Sequence, residues 1–465
     1  MRLTLVNADL PSATPVPPLG LVSLAHTAIR AGHEVTLRDY QLAPVDGSRD
    51  PEVFASFCDT LDDVLGISTS SMALPLVVAA LERIKARRPK IVTVLGGIGA
   101  AGVAQRIVAQ FPWIDYVCRG EGEKALRELL DRLETRTNTS TLDGFVCRLE
   151  GKPLVNLLPE RIKDLDCIEA HAWDYLDLSR YKLINVASSR GCPFPCTFCD
   201  VAPYWQRQHT VRSIGAVVNE IRAIQDRLAG PLTFVFVDDT LTIDRRRMEA
   251  LCRELGALPH EMQWACYARA DTLDENILKL MAECGCRKIY LGLESGSNHV
   301  LRDIRKGFDA ETGRQTALMA REHIPIVQAA FVWGFPFETW SDFYETLLLM
   351  AYLVAHGVSV KANVLTPLPF SALYAKYADS MRFLPDYSPQ LHLAGYESHP
   401  ELVELICKHP RIFPCFYLYE SDMLTQKYDL LRNMGLSPEQ IWDVWELMKA
   451  PVPLREKGLI PRVQL

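Results

Sequence analysis

Ser188-Ser189-Arg190-Gly191-Cys192-Pro193-Phe194-Pro195-Cys196-Thr197-Phe198-Cys199-Asp200 is the stretch from which the rest of this chain is read. Cysteines separated by three and then two residues can converge on one small cluster, and three ligands for four irons leave one iron open to an outside molecule. Gly191 permits close backbone approach, while Pro193 and Pro195 keep the loop from closing into a helix. Zinc and a redox dithiol are the rival readings. Structural zinc takes four closed ligands, usually as two separated pairs, and no second Cys-x-x-Cys or His-x-x-x-His follows at a suitable distance.

Downstream of the cysteines, apolar runs end in polar or glycine residues, the punctuation of parallel strands that carry a site at their carboxyl ends. Strands are expected at 183–188, 232–237, 263–267, 288–291, 324–333 and 359–365, with amphipathic helices at 215–228, 245–255, 274–283, 310–323 and 339–355. Six strands make a partial (β/α) barrel rather than a closed eight. Their ends bring Asp238-Asp239, Arg269, Glu294 and the turn Gly334-Phe335-Pro336 to a common face. The acids are acceptors suited to hydroxyl or ammonium groups, and Arg269 suits a carboxylate. A glycine at 334 allows backbone to approach a ligand.

The first third reads as a doubly wound sheet, with strands at 2–7, 34–39, 61–67, 91–95 and 114–118 and helices at 21–30, 74–87, 102–110 and 123–133. Ligands in such sheets sit beyond the carboxyl ends of the strands. Here those ends carry Asn7, Ser68-Thr69-Ser70-Ser71, Gly96-Gly97 and Gly120-Glu121-Gly122-Glu123, and Pro17-Pro18-Leu19-Gly20-Leu21 leads into the first helix. A dinucleotide site would need G-x-G-x-x-G after the first strand, where it is missing. A response-regulator-like domain without a cofactor is the other reading of this fold.

The expected class is therefore α/β: a Rossmann-like domain at 1–135, a connection at 136–182 with a hairpin-like stretch at 144–155, a partial (β/α)6 TIM-like barrel at 183–372, and a small, mostly helical region at 373–465. Helices in that last region are expected at 400–408, 420–433 and 438–449. A chain of 465 residues exceeds the size at which one core stops growing. Its 50 Lys and Arg against 57 Asp and Glu give a net charge of -7, which argues against a nucleic-acid groove as the main function. Thirteen scattered cysteines point to a reducing cytoplasm. Of these, Cys58, Cys118, Cys147, Cys167, Cys252, Cys266, Cys407 and Cys415 read as buried small hydrophobes. The amino terminus reads as a strand rather than a signal, and the longest apolar run, 346–355, is too short for a membrane span.

With Phe198 just before the last cysteine, C-x-x-x-C-x-x-C resembles the radical S-adenosylmethionine (radical SAM) superfamily. The fold order and loops of the first third resemble the cobalamin-binding domain that precedes this core in the class B branch. The resemblance covers roughly residues 1 to 375, a length typical of two domains. It implies a [4Fe-4S] cluster on Cys192, Cys196 and Cys199, and S-adenosylmethionine against Phe198, Asp239, Arg269, Glu294, Gly334 and Pro336. It also implies cobalamin against Asn7, Pro18, Leu19, Gly20, Ser68, Thr69, Ser70, Met72, Gly96, Gly97, Gly120, Glu121 and Gly122. The implied partners are an external electron donor such as flavodoxin or ferredoxin and a small-molecule or peptide substrate.

The implied activity is methylation of an unactivated carbon or phosphorus centre through methylcobalamin and a 5′-deoxyadenosyl radical. The same cofactors serve rearrangement and cyclisation enzymes. A methylthiotransferase needs three amino-terminal cysteines, which Cys58, Cys118 and Cys147 do not match, and an iron-sulfur redox sensor leaves the strand-end series without a use. Two departures stand out. No Asp-x-His-x-x-Gly string supplies a cobalt ligand, so the loop 69–72 is the candidate for lower-face contact, and Pro369-Phe370-Ser371 replaces the usual Pro-Gly-Thr turn.

Overall fold

A computed structural model describes residues 1–168, 173–228, 232–421 and 423–433; the helix expected at 438–449 lies outside the described residues. Strands β1 (Arg2–Asn7), β2 (Glu34–Asp39), β3 (Val64–Ser68), β4 (Val92–Gly96) and β5 (Tyr116–Cys118) are parallel and lie in the order β2-β1-β3-β4-β5. Helices Leu19–Arg30 and Gly122–Glu134 cover one face through Leu21, Ala25, Leu126 and Leu129. Helices Pro51–Cys58, Leu74–Arg87 and Ala104–Gln110 cover the other through Phe54, Val77, Leu81 and Ile107. Burial on both faces is what a parallel sheet requires.

The sheet does not end at β5. The stretch read as connection supplies β6 (Phe145–Leu149) and β7 (Lys152–Val155), a hairpin that pairs antiparallel with β5 at Cys118↔Phe145 and Tyr116↔Cys147. Phe145, Val146 and Cys147 are buried by this addition, which covers an edge that a three-residue strand would leave open.

The second sheet begins with β8 (Leu183–Val186). The next strands, β9 (Ser189–Arg190) and β10 (Thr210–Val211), pair antiparallel outside it and close the base of the cysteine loop. β11 (Thr233–Phe236), β12 (Gln263–Ala268), β13 (Cys286–Glu294), β14 (Ile326–Trp333) and β15 (Ser359–Val364) complete it, side by side in chain order and all parallel. The barrel is open between β15 and β8, as six units predict. Trp264, Phe234, Phe236 and Phe331 fill its core, and the Trp264 indole N–H donates to the Cys284 carbonyl at 2.8 Å.

Residues after the barrel turn back over both domains. Helix Pro400–Lys408 lies on Leu74–Arg87, with Arg83 forked onto Glu401 at 2.8 and 2.9 Å. Helix Leu424–Asn433 lies over the end of β14, where Tyr428 meets Trp333 at 4.8 Å and Lys427 pairs with buried Glu338 at 2.7 Å. A single apolar core consequently takes Val77 from the first domain, Phe335 from the barrel and Ile406 from the last region. Cys167 and Cys407 depart from the expected burial: both are exposed, Cys407 because Leu402 and Ile406 form the inward face of its helix. Among the described residues no helix is long and apolar enough to cross a membrane.

Gly99 sits where two loops touch, and a Cβ there would collide with the backbone of Ser70 and Ser71. Gly99→Ala is expected to cost about 1–3 kcal/mol by overpacking, seen as a lower thermal midpoint by circular dichroism. Gly215→Ala, with nothing within 4 Å of the added carbon, should leave the midpoint unchanged or raise it.

Candidate functional site

The cysteine loop is tied down at its first residues. Gly191 has φ +94°, and a Cβ there would collide with the Gln208 carbonyl oxygen, so the turn admits only glycine. Its N–H donates to Asp239 Oδ2 at 3.0 Å. The neighbouring Asp238 accepts from the Ser188 N–H at 3.0 Å, from Ser188 Oγ at 2.8 Å and from Ser189 Oγ. Adjacent carboxylates at the end of β11 thus hold both sides of the β9 strand. Burial pushes the Asp239 carboxyl up to about 6, against the Gly191 hydrogen bond.

Burial also raises the Cys192 thiol, opposed by hydrogen bonds from the Phe194 N–H and the Thr240 hydroxyl. It pushes Cys199 up to about 12, opposed by the Val201 and Ala202 N–H groups. Donors aimed at sulfur favour the thiolate that a cluster needs as ligand. Cys196 is buried, and Arg269 Nη1 lies 3.6 Å from its sulfur.

Arg269, expected to clamp a ligand carboxylate, is instead committed to the loop. Its Nε and Nη2 fork onto Asp271 at 2.9 and 2.8 Å, Nη2 also reaches the Lys306 carbonyl, and its plane lies 3.7 Å over the Phe194 ring. The short turn Ala270–Thr272 brings Asp271 back into bidentate register two residues on. Glu294 is likewise engaged, by Lys306 Nζ at 2.8 Å in a buried pair. The register of β13 against β14 shifts between Gly292 and Glu294, and Glu294 has φ +68°. A non-glycine residue held left-handed at a bulge is strained by about 1–3 kcal/mol. No local motif marks Lys306, whose partner lies twelve residues away at the β13 bulge.

Phe198 meets Phe335 edge-on at 6.2 Å. Gly334 has φ +83°, donates its N–H to Glu338 Oε2 at 2.8 Å, and has Leu424 and Val364 at 3.1 Å from where a Cβ would be. Helix Leu424–Asn433 therefore packs on this turn, with Pro336 half-buried beside it.

A cavity separates the strand ends of the two sheets. From the first domain, Leu19, Gly20, Ser68, Gly96, Gly97, Gly120, Glu121 and Gly122 line it; from the barrel side, Ser189, Arg190 and Asp239 do, joined by Tyr204 and Trp205. The walls from Leu21, Leu24, Cys118 and Phe145 are apolar, and a Cβ at Gly20 or Gly96 would meet nothing within 4 Å. An apolar wall broken by open glycines fits a broad, flat macrocycle. Asn7, Pro18, Thr69, Ser70 and Met72 are not among the lining residues. Asn7 bonds Asp39 at 2.9 Å, and the half-buried loop 69–72 is met from the C-terminal region, where the Tyr396 hydroxyl donates to the Met72 carbonyl at 3.0 Å. The close approach of Gly97 to the Thr69 carbonyl keeps this loop folded onto its neighbour.

The charged part of the cavity is a junction between domains. Arg190 Nη1 pairs with Glu121 at 2.9 Å and Nη2 with Glu123 at 2.7 Å. Glu121 also accepts from the Ile162 N–H at 2.7 Å and lies 3.5 Å from Arg161, whose guanidinium covers Trp205 at 4.4 Å. Glu123 accepts from Ser23 Oγ at 2.8 Å. Against the cost of burial, the Arg190 charge and hydrogen bond hold the Glu123 carboxyl below the usual range. Glu121, read as a cofactor contact, has its carboxylate engaged in this junction.

Comparison with known proteins finds a match for each of the two domains. Residues 186–350 match the radical SAM superfamily and residues 10–130 match the B12 binding domain. The anaerobic magnesium-protoporphyrin IX monomethyl ester cyclase of Synechocystis sp. is 29% identical over 366 residues, covering 76% of this chain and 72% of that protein. The hopanoid C-3 methylase of Methylococcus capsulatus is 29% identical over 300 residues, covering 62% of this chain and 55% of the relative. The radical S-adenosylmethionine methyltransferase TsrM from Kitasatospora setae, solved with tryptophan and aza-SAM, has the same fold at a TM-score of 0.73 and 17% identity, over 100% of this chain and 91% of that one.

Two substitutions probe the site. Cys196→Ala should abolish iron and sulfide uptake on anaerobic reconstitution, measured colorimetrically. Arg190→Gln leaves buried Glu123 without its cation and Glu121 with Arg161 alone, and should cost about 3–5 kcal/mol, lowering the thermal midpoint further than Arg190→Lys does.

Proposed function

Because the chain belongs to the cobalamin-dependent radical SAM enzymes, with a [4Fe-4S] cluster, S-adenosylmethionine and cobalamin as its cofactors, we propose that it methylates an unactivated carbon or phosphorus centre. The observation that carries this reading is the cavity between the sheets, in which glycines of the first domain face Ser189, Arg190 and Asp239 beside the cysteine loop. When bound, the cluster supplies one-electron cleavage of S-adenosylmethionine and the cobalamin carries a methyl group.

The chain's own part is positional. Cys192, Cys196 and Cys199 hold the cluster, and Arg269 fixes the middle of their loop through the Cys196 sulfur and the Phe194 ring. Phe198 and Phe335 form an apolar wall beside it, and the strained Glu294 with Lys306 offers paired charges at the end of β13. Leu19, Gly20, Gly96 and Gly122 cradle the macrocycle. The Arg190 junction closes the seam between the domains against water, which protects reactive species and keeps reacting groups in one geometry.

The named activity of the hopanoid methylase supports carbon methylation. That of the Synechocystis cyclase favours a second reading, cyclisation without methyl transfer. Anaerobic turnover with methyl-labelled S-adenosylmethionine distinguishes them. Methylation predicts S-adenosylhomocysteine formed alongside 5′-deoxyadenosine, with label in the product; 5′-deoxyadenosine without either would contradict it and favour cyclisation.

A further inference from the structure

We propose that a groove on the outer side of the cysteine loop is the docking site for an acidic one-electron carrier protein, an inference that rests on the cluster assignment above. The groove is lined by Pro195, Leu301, Arg302, Arg305, Phe308 and Asp309. Pro195 is exposed and directly precedes Cys196, so the groove touches the cluster loop itself. Its floor is bonded to that loop: the Thr197 N–H donates to the Ile304 carbonyl at 2.9 Å, while Arg269 bridges the Lys306 carbonyl and the Cys196 sulfur. Two hydrogen bonds therefore connect the backbone under Arg305 to a cluster ligand.

Charge selects the partner. Arg302 and Arg305 are exposed, and neither forms an ion pair with another described residue. The acids nearby are engaged. Asp303 faces His299 at 4.0 Å and interacts with Lys376, and Asp309 caps helix Ala310–His323 by accepting from the Thr312 N–H at 2.8 Å. On a chain of net charge -7, this face offers two free guanidinium groups around the half-buried Phe308 ring. An apolar centre flanked by unpaired cations suits a carrier that surrounds its redox group with carboxylates, since complementary charge steers encounter and fixes orientation. Of the loop and its base, Pro195 lines this groove whereas Ser189 and Arg190 line the interdomain cavity, so the groove is a separate approach to the cysteines. The carrier is oxidised by one electron and the cluster reduced by one; no bond forms or breaks and no proton is exchanged.

The test uses the reconstituted full chain, flavodoxin hydroquinone as the probe, and the double variant Arg302→Glu, Arg305→Glu. Stopped-flow bleaching of the cluster should slow at least about tenfold at low salt, and the wild-type rate should fall with added salt while the variant rate does not. Reduction by dithionite should be unchanged. Independently of turnover, the cluster-free chain should bind oxidised flavodoxin more weakly when the two arginines are reversed, and Arg302→Lys, Arg305→Lys should restore binding. Equal flavodoxin rates and equal binding in wild type and both variants would overturn the docking site while leaving the cluster assignment intact. Wild-type protein that takes up no iron would overturn both.

Discussion

Arg190 stands between the buried carboxylates of Glu121 and Glu123, and the relation between the two domains depends on that arrangement. Two carboxylates taken out of water are unfavourable without a cation, and a lone buried guanidinium is equally so. The first domain cannot close its β5 end comfortably by itself, and the barrel supplies the missing charge from the residue before Gly191. Docking the domains therefore brings Ser189 and Arg190, at the base of the cysteine loop, to the glycine-lined cavity. A loop of prolines and cysteines has little packing to hold it; its position comes from Arg190 on one side and Asp238, Asp239 and Arg269 on the other.

The last region completes this enclosure. Lys427 neutralises buried Glu338, which in turn accepts from the Gly334 N–H, so the turn at the end of β14 is held from above. Tyr396 and Arg83 fix the same region to the first domain. Its aromatics are thus largely core, and they stiffen both halves of the site. Strain is retained at Glu294, where the bulge in β13 and the pair with Lys306 overcome the left-handed backbone.

Most of the fold was legible in the sequence because parallel strands buried on both faces are continuous apolar runs with abrupt polar ends. All six barrel strands and the five parallel strands of the first sheet follow that punctuation. The hairpin at Phe145–Val155 is legible as a hairpin, but its pairing with β5 is not, because β5 has only three residues and the pairing is antiparallel. The cysteines were legible because their spacing is local. Arg269, Glu294 and Glu121 were placed at the site, but their partners Cys196, Lys306 and Arg190 depend on a loop path, a bulge and a domain contact, none of which leaves a periodic trace. Loop 69–72, expected at the cavity, lies outside its lining and is met by Tyr396 from the C-terminal region, a contact that leaves no local trace in the sequence.

If the strand ends of the two sheets enclose one cavity, a reduced cluster on Cys192, Cys196 and Cys199 and a cobalt(II) cobalamin among the glycines of the first domain must be magnetic neighbours. Pulsed electron paramagnetic resonance on the anaerobic protein carrying both reads their dipolar coupling. A resolved coupling that weakens when Arg190 is replaced is the expected result; two spectra that superpose on those of isolated, non-interacting centres would contradict it.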